Sequence, residues 1–182
     1  DATRELLKGA EETLSKLSGM RKNADALAQL AKKQENQFAR EEERRRVVPA
    51  IAALRKAYPD AVISIDTYRA DTAEAAIAAG ADIINDISAM EADPRMADVV
   101  VATKAPIILM HMRGTPKNMQ QNCEYKDVVQ EVAVYLAQRA QLLRERGVSA
   151  DKIILDPGIC FAKNVEQNLL LMRCLLYTSP SP

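Results

Sequence analysis

Four short apolar runs in this chain each end in a polar residue that can hold a ligand. Val62-Ile63-Ser64-Ile65 is followed by Asp66, and Ile83-Ile84 by Asn85 and Asp86. Ile107-Ile108-Leu109-Met110 is followed by His111, and Ile153-Ile154-Leu155 by Asp156. Asp and Asn also start turns and cap helices, so one such residue means little. Four at corresponding positions mark one rim of a sheet as a site. A carboxylate makes its best contact with parallel N–H donors on a planar edge. An asparagine offers both a donor and an acceptor to a neighbouring ring edge. Ile87, Met110 and Phe161 are apolar neighbours able to sandwich a flat ring. The set Asp66, Asn85 and Asp156 therefore favours a flat, amine-bearing heterocycle over a sugar or bare phosphate. No G-x-x-x-x-G-K-[ST] phosphate loop occurs. A dinuclear metal site is the rival use of clustered carboxylates. It ranks lower because His111 is the one histidine available.

The elements that position these residues follow from periodicity. Strands are expected at Val62–Ile65, Asp82–Asn85, Ile107–Met110 and Ile153–Leu155, with helices at Ala70–Ala79, Asp93–Ala102, Asp127–Arg146 and Val165–Leu176. A further helix, VVPAIAALRKAY, precedes the first strand and ends near Pro59. Strands apolar on both faces, alternating with helices, predict a parallel sheet with right-handed crossovers. Polar groups at the carboxyl ends of such strands are where α/β folds bind ligands.

Composition narrows the partners. The chain has 182 residues with 25 Lys+Arg and 25 Asp+Glu, hence no net charge. That balance argues against nucleic acid or an anionic membrane as partner. No apolar run is long enough to span a membrane, and the first residues, DATRELLKGA, have no signal-like apolar stretch. Three widely spaced cysteines, Cys123, Cys160 and Cys174, suggest reduced thiols in a cytoplasmic protein rather than a disulfide framework or zinc site.

The first 40 residues carry Leu6, Ala10, Leu14, Leu17, Ala24, Leu27, Ala31 and Phe38 at helical spacing. They are read as a helical extension whose origin the sequence leaves open, an amphipathic helix with a solvated face rather than a partner-binding one. Residues 41–173 form the α/β domain. Residues 174–182, CLLYTSPSP, end in breakers and are expected to be disordered, a candidate non-native tail. Met90 and Met96 are read as core or turn residues. His111 is read as a structural histidine rather than a catalytic base. Arg113 and Lys117 fit either an anionic substrate or a solvated loop.

The segments SIDTYRADTAEAAIAAGADIINDIS, PIILMHMRGTPKNMQ and IILDPGICFAKNVEQNLLLMR resemble dihydropteroate synthase, in three consecutive motif blocks in order. The resemblance implies a (β/α)₈ barrel, of which this chain holds about four parallel strands, the third to sixth: a partial TIM barrel. It implies a transferase of folate biosynthesis. The reaction joins 6-hydroxymethyl-7,8-dihydropterin diphosphate to 4-aminobenzoate, giving dihydropteroate and pyrophosphate. Asp66, Asn85 and Asp156 would bind the pterin, Ile87 and Met110 would line it, and Phe161 would lie on the aminobenzoate side. The chemistry is departure of pyrophosphate followed by attack of the arylamine, so no catalytic side-chain nucleophile is expected. Mg²⁺ is the implied cofactor and a homodimer the frequent assembly.

The chain departs from that pattern in three ways. The family's asparagine for Mg²⁺ and its Ser-Thr-Arg-Pro loop are not found in residues 1–40. Its late lysine and arginine-histidine pair are also not found. A closed barrel takes about 250 residues. The chain alone is therefore expected to be an inactive fragment with open sheet edges and poor solubility. Cys160 and Ala162 stand where the family has glycine, which suits positive φ or close approach. A non-catalytic barrel remnant and a methyltetrahydrofolate-binding methyltransferase module are the alternative readings; HMRGTP argues against the second.

Overall fold

The apolar runs pair as expected, into one four-stranded parallel sheet with strands in chain order. In the computed structural model, which describes residues 2–178, the order is helix α1 (Ala2–Ala57), strand β1 (Ser64–Asp66), α2 (Ala70–Ala78), β2 (Ile83–Asp86), α3 (Met96–Thr103), β3 (Ile107–Met110), α4 (Val128–Glu145), β4 (Ile153–Asp156) and α5 (Val165–Thr178). Short 3₁₀ turns lie at Met119–Gln121 and Ala150–Lys152. This is an α/β array of consecutive parallel strands with helical crossovers, as the periodicity predicts. No helix among the described residues is long and apolar enough to cross a membrane.

The chain divides into two compact units, Asp1–Glu43 and Arg44–Pro182. The described part of the first is helix, and Leu27 and Phe38 of its apolar stripe are exposed. The second unit holds the sheet. Its core lies between the sheet's outer face and the helices. Ile65, Ile84, Ile107 and Leu109 are buried there against Ala73 and Ala76 of α2, Val99 and Val100 of α3 and Leu143 of α4. Alanines on α2 let the helix approach closely. Each fully buried Ile or Leu contributes about 2 kcal/mol. A second cluster, Val128, Val132, Leu136 and Leu171, joins α4 to α5.

Boundary differences from the sequence reading have local causes. β1 starts at Ser64 rather than Val62 because the Asp82 carboxylate accepts from Ile63 N (2.8 Å). Ile63 O in turn accepts from Asp82 N and Ile83 N. Asp82 is itself held by Arg55, which also donates to Gly80 O (2.8 Å), Pro59 O (2.7 Å) and Ala61 O (2.7 Å). α3 starts at Met96 rather than Asp93, because Asp93 stays outside as an acceptor for Arg95 N and Ala70 N (each 3.2 Å). α5 runs through Thr178, so Cys174–Thr178 is helical rather than tail: LLYT continues the helical pattern, and breakers begin only at Pro180. Residues 179–182 lie outside the described residues. Met90 and Met96 are buried; Met90, at φ 69°, is a turn residue and Met96 opens α3.

Candidate functional site

Register decides which side chains share a face. Asp66 lies opposite Asn85, and Asn85 opposite Ile108. Met110 lies opposite Asp156, two residues further along. Side chains alternate along a strand. Asp66, Asn85, Met110 and Asp156 therefore fall on one face, opposite to buried Ile65, Ile84, Ile107 and Leu109. With strands ~4.8 Å apart and ~3.3 Å per residue, Asn85 and Asp156 have Cα atoms roughly 12 Å apart on a flat sheet. A fused-ring ligand with its substituents covers that span, and sheet curvature shortens it.

Asp66 is exposed, and partial desolvation pushes its carboxyl above the usual range. Among the described residues none hydrogen-bonds its carboxylate or the half-buried Asn85 amide. One Asp156 oxygen accepts from Gly158 N (2.7 Å), which fixes the carboxylate at the strand end. Met110 is 4% exposed. Ile87, just beyond β2, lines a cleft of about 340 Å³ with Tyr68, Met112 and Pro116, at the carboxyl ends of β1 to β3. Asp66, Asn85, Met110, Asp156 and Phe161 do not line that cleft. Phe161 is half-buried in the loop after β4.

The neighbouring polar residues face the other way. Asp86 is fully buried on the helix side, where it accepts from Ser88 N (2.8 Å), Ser88 Oγ (2.7 Å) and Met90 N (2.7 Å). Desolvation is the largest influence on it and raises its pKa. It shapes the loop after β2, where Ala89 and Met90 both have positive φ. His111 is 3% exposed, edge-on to Tyr135 with centroids 4.9 Å apart. Desolvation, then the charge of Lys163, pushes it down to about 4, so it is neutral at pH 7. Arg113 stacks over the Tyr125 ring (3.8 Å), bonds Glu131 and donates to Glu124 O. Its charge is spent on the loop after β3, and Lys117 in that loop is exposed.

Sequence reasoning missed Lys163. It is 3% exposed, and its ammonium donates to Phe161 O (2.8 Å) and Gly158 O (2.9 Å) and lies 3.0 Å from His111 Nδ1. The available signal was one cation in the otherwise uncharged stretch PGICFAKN. Gly158 has φ +67°, and a Cβ there would sit 2.0 Å from His111 O. Cys160 and Ala162 adopt φ 70° and 54°, the conformation that glycine favours. The Cys160 residue is exposed.

Residues 26–179 match the family model described as pterin binding enzyme. The chain belongs to this family. Dihydropteroate synthase from Synechocystis is 48% identical over 134 residues, 74% of this chain and 46% of that protein. The chain thus spans about half the length of that relative. Two solved structures are similar. Burkholderia cenocepacia dihydropteroate synthase has a TM-score of 0.68 and 42% identity, over 78% of this chain and 52% of that one. The Xanthomonas albilineans enzyme in complex with 7,8-dihydropteroate has a TM-score of 0.66 and 36% identity, over 74% and 48%.

The described residues do not by themselves make a cage for the Mg²⁺ that the family resemblance implies. Among the described residues no three His, Cys, Asp or Glu side chains are grouped to hold a metal ion. Asp66 and Asp156 share a face but are separated by two intervening strands.

Proposed function

We propose that this chain is the pterin-holding part of a dihydropteroate synthase. The observation that carries the reading is the register: Asp66 opposite Asn85, Asn85 opposite Ile108 and Met110 opposite Asp156 put Asp66, Asn85 and Asp156 on one face. The Asp66 and Asp156 carboxylates accept from the amine and N–H edge of the pterin, and Asn85 supplies a donor and an acceptor. Met110 and Ile87 line the ring, and Phe161 lies on the arylamine side.

In the whole enzyme the substrate is 6-hydroxymethyl-7,8-dihydropterin diphosphate. The methylene C–O bond breaks and pyrophosphate leaves with the electron pair. The cation left on the methylene is delocalised into the ring. Carboxylates held against the ring edge orient it and favour that charge electrostatically. The amine of 4-aminobenzoate forms the new C–N bond and loses a proton, giving dihydropteroate. Nothing in this step requires a side-chain nucleophile.

A titration of this chain with 6-hydroxymethylpterin, followed by the pterin's own fluorescence, tests the reading. Each of Asp66→Ala, Asn85→Ala and Asp156→Ala is expected to weaken binding. Loss of a charge-assisted hydrogen bond is worth about 1.5–3 kcal/mol, so the two aspartate variants should lose about tenfold or more. Wild-type affinity in all three variants contradicts the proposal.

A further inference from the structure

We propose that Lys163 is a positioning residue: it clasps the loops after β3 and β4 together and thereby sets Phe161 on the arylamine side of the site. The inference rests on the pterin reading above for what occupies the site, but the clasp itself is geometric. Phe161 sits between Cys160 and Ala162, at φ 70° and 54°. Neither residue type favours that backbone region, so the loop needs restraint from outside. Lys163 supplies it. Its side chain turns back under its own loop to Gly158 O (2.9 Å) and Phe161 O (2.8 Å). It also crosses to the loop after β3, reaching His111 O at 3.4 Å and His111 Nδ1 at 3.0 Å. An ammonium donates only, so Nδ1 is the acceptor and the ring proton belongs on Nε2.

Further links lie at the rim, from Gln120 directly between these two loops and from Gln167 and Asn168 of α5 to one loop each. Gln120 Nε2 donates to Cys160 O (3.0 Å) and Gln167 Nε2 to Cys123 O (2.8 Å), while Asn168 Oδ1 accepts from Cys160 N (2.8 Å). Of these side-chain links, the one made to Phe161 is that of Lys163 to its carbonyl, while Phe161 N donates to Gly158 O (3.1 Å) within the loop. Among the described residues this buried lysine contacts carbonyls and a neutral ring, and no carboxylate hydrogen-bonds it. Desolvation is the largest influence and lowers it to about 8; Arg113 pushes the same way, while Asp156, Cys123 and Cys160 oppose it. Above that pH the clasp loses its charge and one donor. Arylamine affinity, read with the pterin held at saturation, is therefore expected to fall as pH rises through 8.

The test uses this chain with 6-hydroxymethylpterin at saturation and 4-aminobenzoate as titrant, from pH 6.5 to 9.5. Wild type should lose at least fivefold in 4-aminobenzoate affinity across pH 8. Lys163→Met should lose tenfold or more at pH 7 with pterin affinity within twofold of wild type. Lys163→Arg should recover most of that loss and flatten the pH profile. In parallel, the backbone amide signals of Gly158 and Phe161 in the ligand-free wild type should titrate near pH 8, and those of Asp66 and Asn85 should not. That second measurement needs no variant to fold and no ligand to bind. Absence of pterin binding with the Gly158 and Phe161 titration intact would count against the pterin reading and leave the clasp standing. Amide signals that do not move near pH 8, or equal losses for pterin and 4-aminobenzoate in Lys163→Met, overturn the clasp.

Discussion

Gly158→Ala should be among the most damaging single-methyl additions to this chain. A Cβ at Gly158 would sit 2.0 Å from His111 O and 3.2 Å from Met110 Cγ. The first contact is more than an ångström too short, and it is against backbone at the end of β3. The residue also has φ +67°, which costs an L-residue about 1–2 kcal/mol. Relief requires the β4 loop to move away from β3, which stretches the bonds from Gly158 N to Asp156 and from Lys163 to Gly158 O. Losing one such charge-assisted bond costs about 1.5–3 kcal/mol, so the total is about 4 kcal/mol. Gly147 provides the control: it has φ +86° with nothing within 4 Å of its added Cβ. Gly147→Ala pays the backbone cost alone, about 1 kcal/mol. Urea unfolding of the two variants and wild type separates the effects. The expected result is an unchanged slope, a midpoint loss equivalent to about 4 kcal/mol for Gly158→Ala and about 1 kcal/mol for Gly147→Ala. Equal losses in the two variants refute the close-approach argument.

Three further outcomes follow from the same geometry. His111 has a folded pKa of about 4 against an ordinary 6.5. The unfolded chain therefore takes up its proton first as pH falls, and stability is lost between pH 6.5 and 4, by up to about 3 kcal/mol. Thermal melts across that range should show a shallower pH dependence in His111→Gln; an equal slope would remove His111 as the cause. Asp86→Ala and Asn85→Ala should behave oppositely although adjacent. The first strips partners from Ser88 N, Ser88 Oγ and Met90 N and should lower stability by about 3 kcal/mol. The second should leave stability within about 0.5 kcal/mol and weaken pterin binding instead; reversed effects would mean the two faces are misassigned. Sedimentation should report oligomers or aggregates, since β1 and β4 end the described sheet with one unpaired edge each and Ile154 is 44% exposed on the inner face; a clean monomer contradicts this.

Most of the α/β order was legible because its signals are local. Isoleucine runs preceded by the helix breakers Gly80 and Gly147 mark strand and helix limits, and each observed strand lies within two residues of its expected start. That Asp66, Asn85 and Asp156 share a face follows from register, which a single sequence only hints at through corresponding positions. The roles of Asp86 and Asn85 were harder to separate. Both end the same strand, and only parity decides that one caps a loop while the other faces outward from the core. Lys163 stands out in PGICFAKN as a lone cation, but its role was not legible because it depends on a side chain folding back across two loops. The strained φ values at Cys160 and Ala162 were foreshadowed by glycine standing at those positions in the family resembled, but not by the residues themselves.

On the proposed reading, one face of this sheet holds a pterin ring. The most direct measurement is mapping of backbone amide shifts as 6-hydroxymethylpterin is added to the chain. The largest changes are expected at Asp66, Asn85, Met110 and Asp156, with Ile65, Ile84 and Leu109 little affected. Changes centred on the helix-covered face, or on the cleft between Tyr68 and Met112 with Asp156 silent, would contradict it.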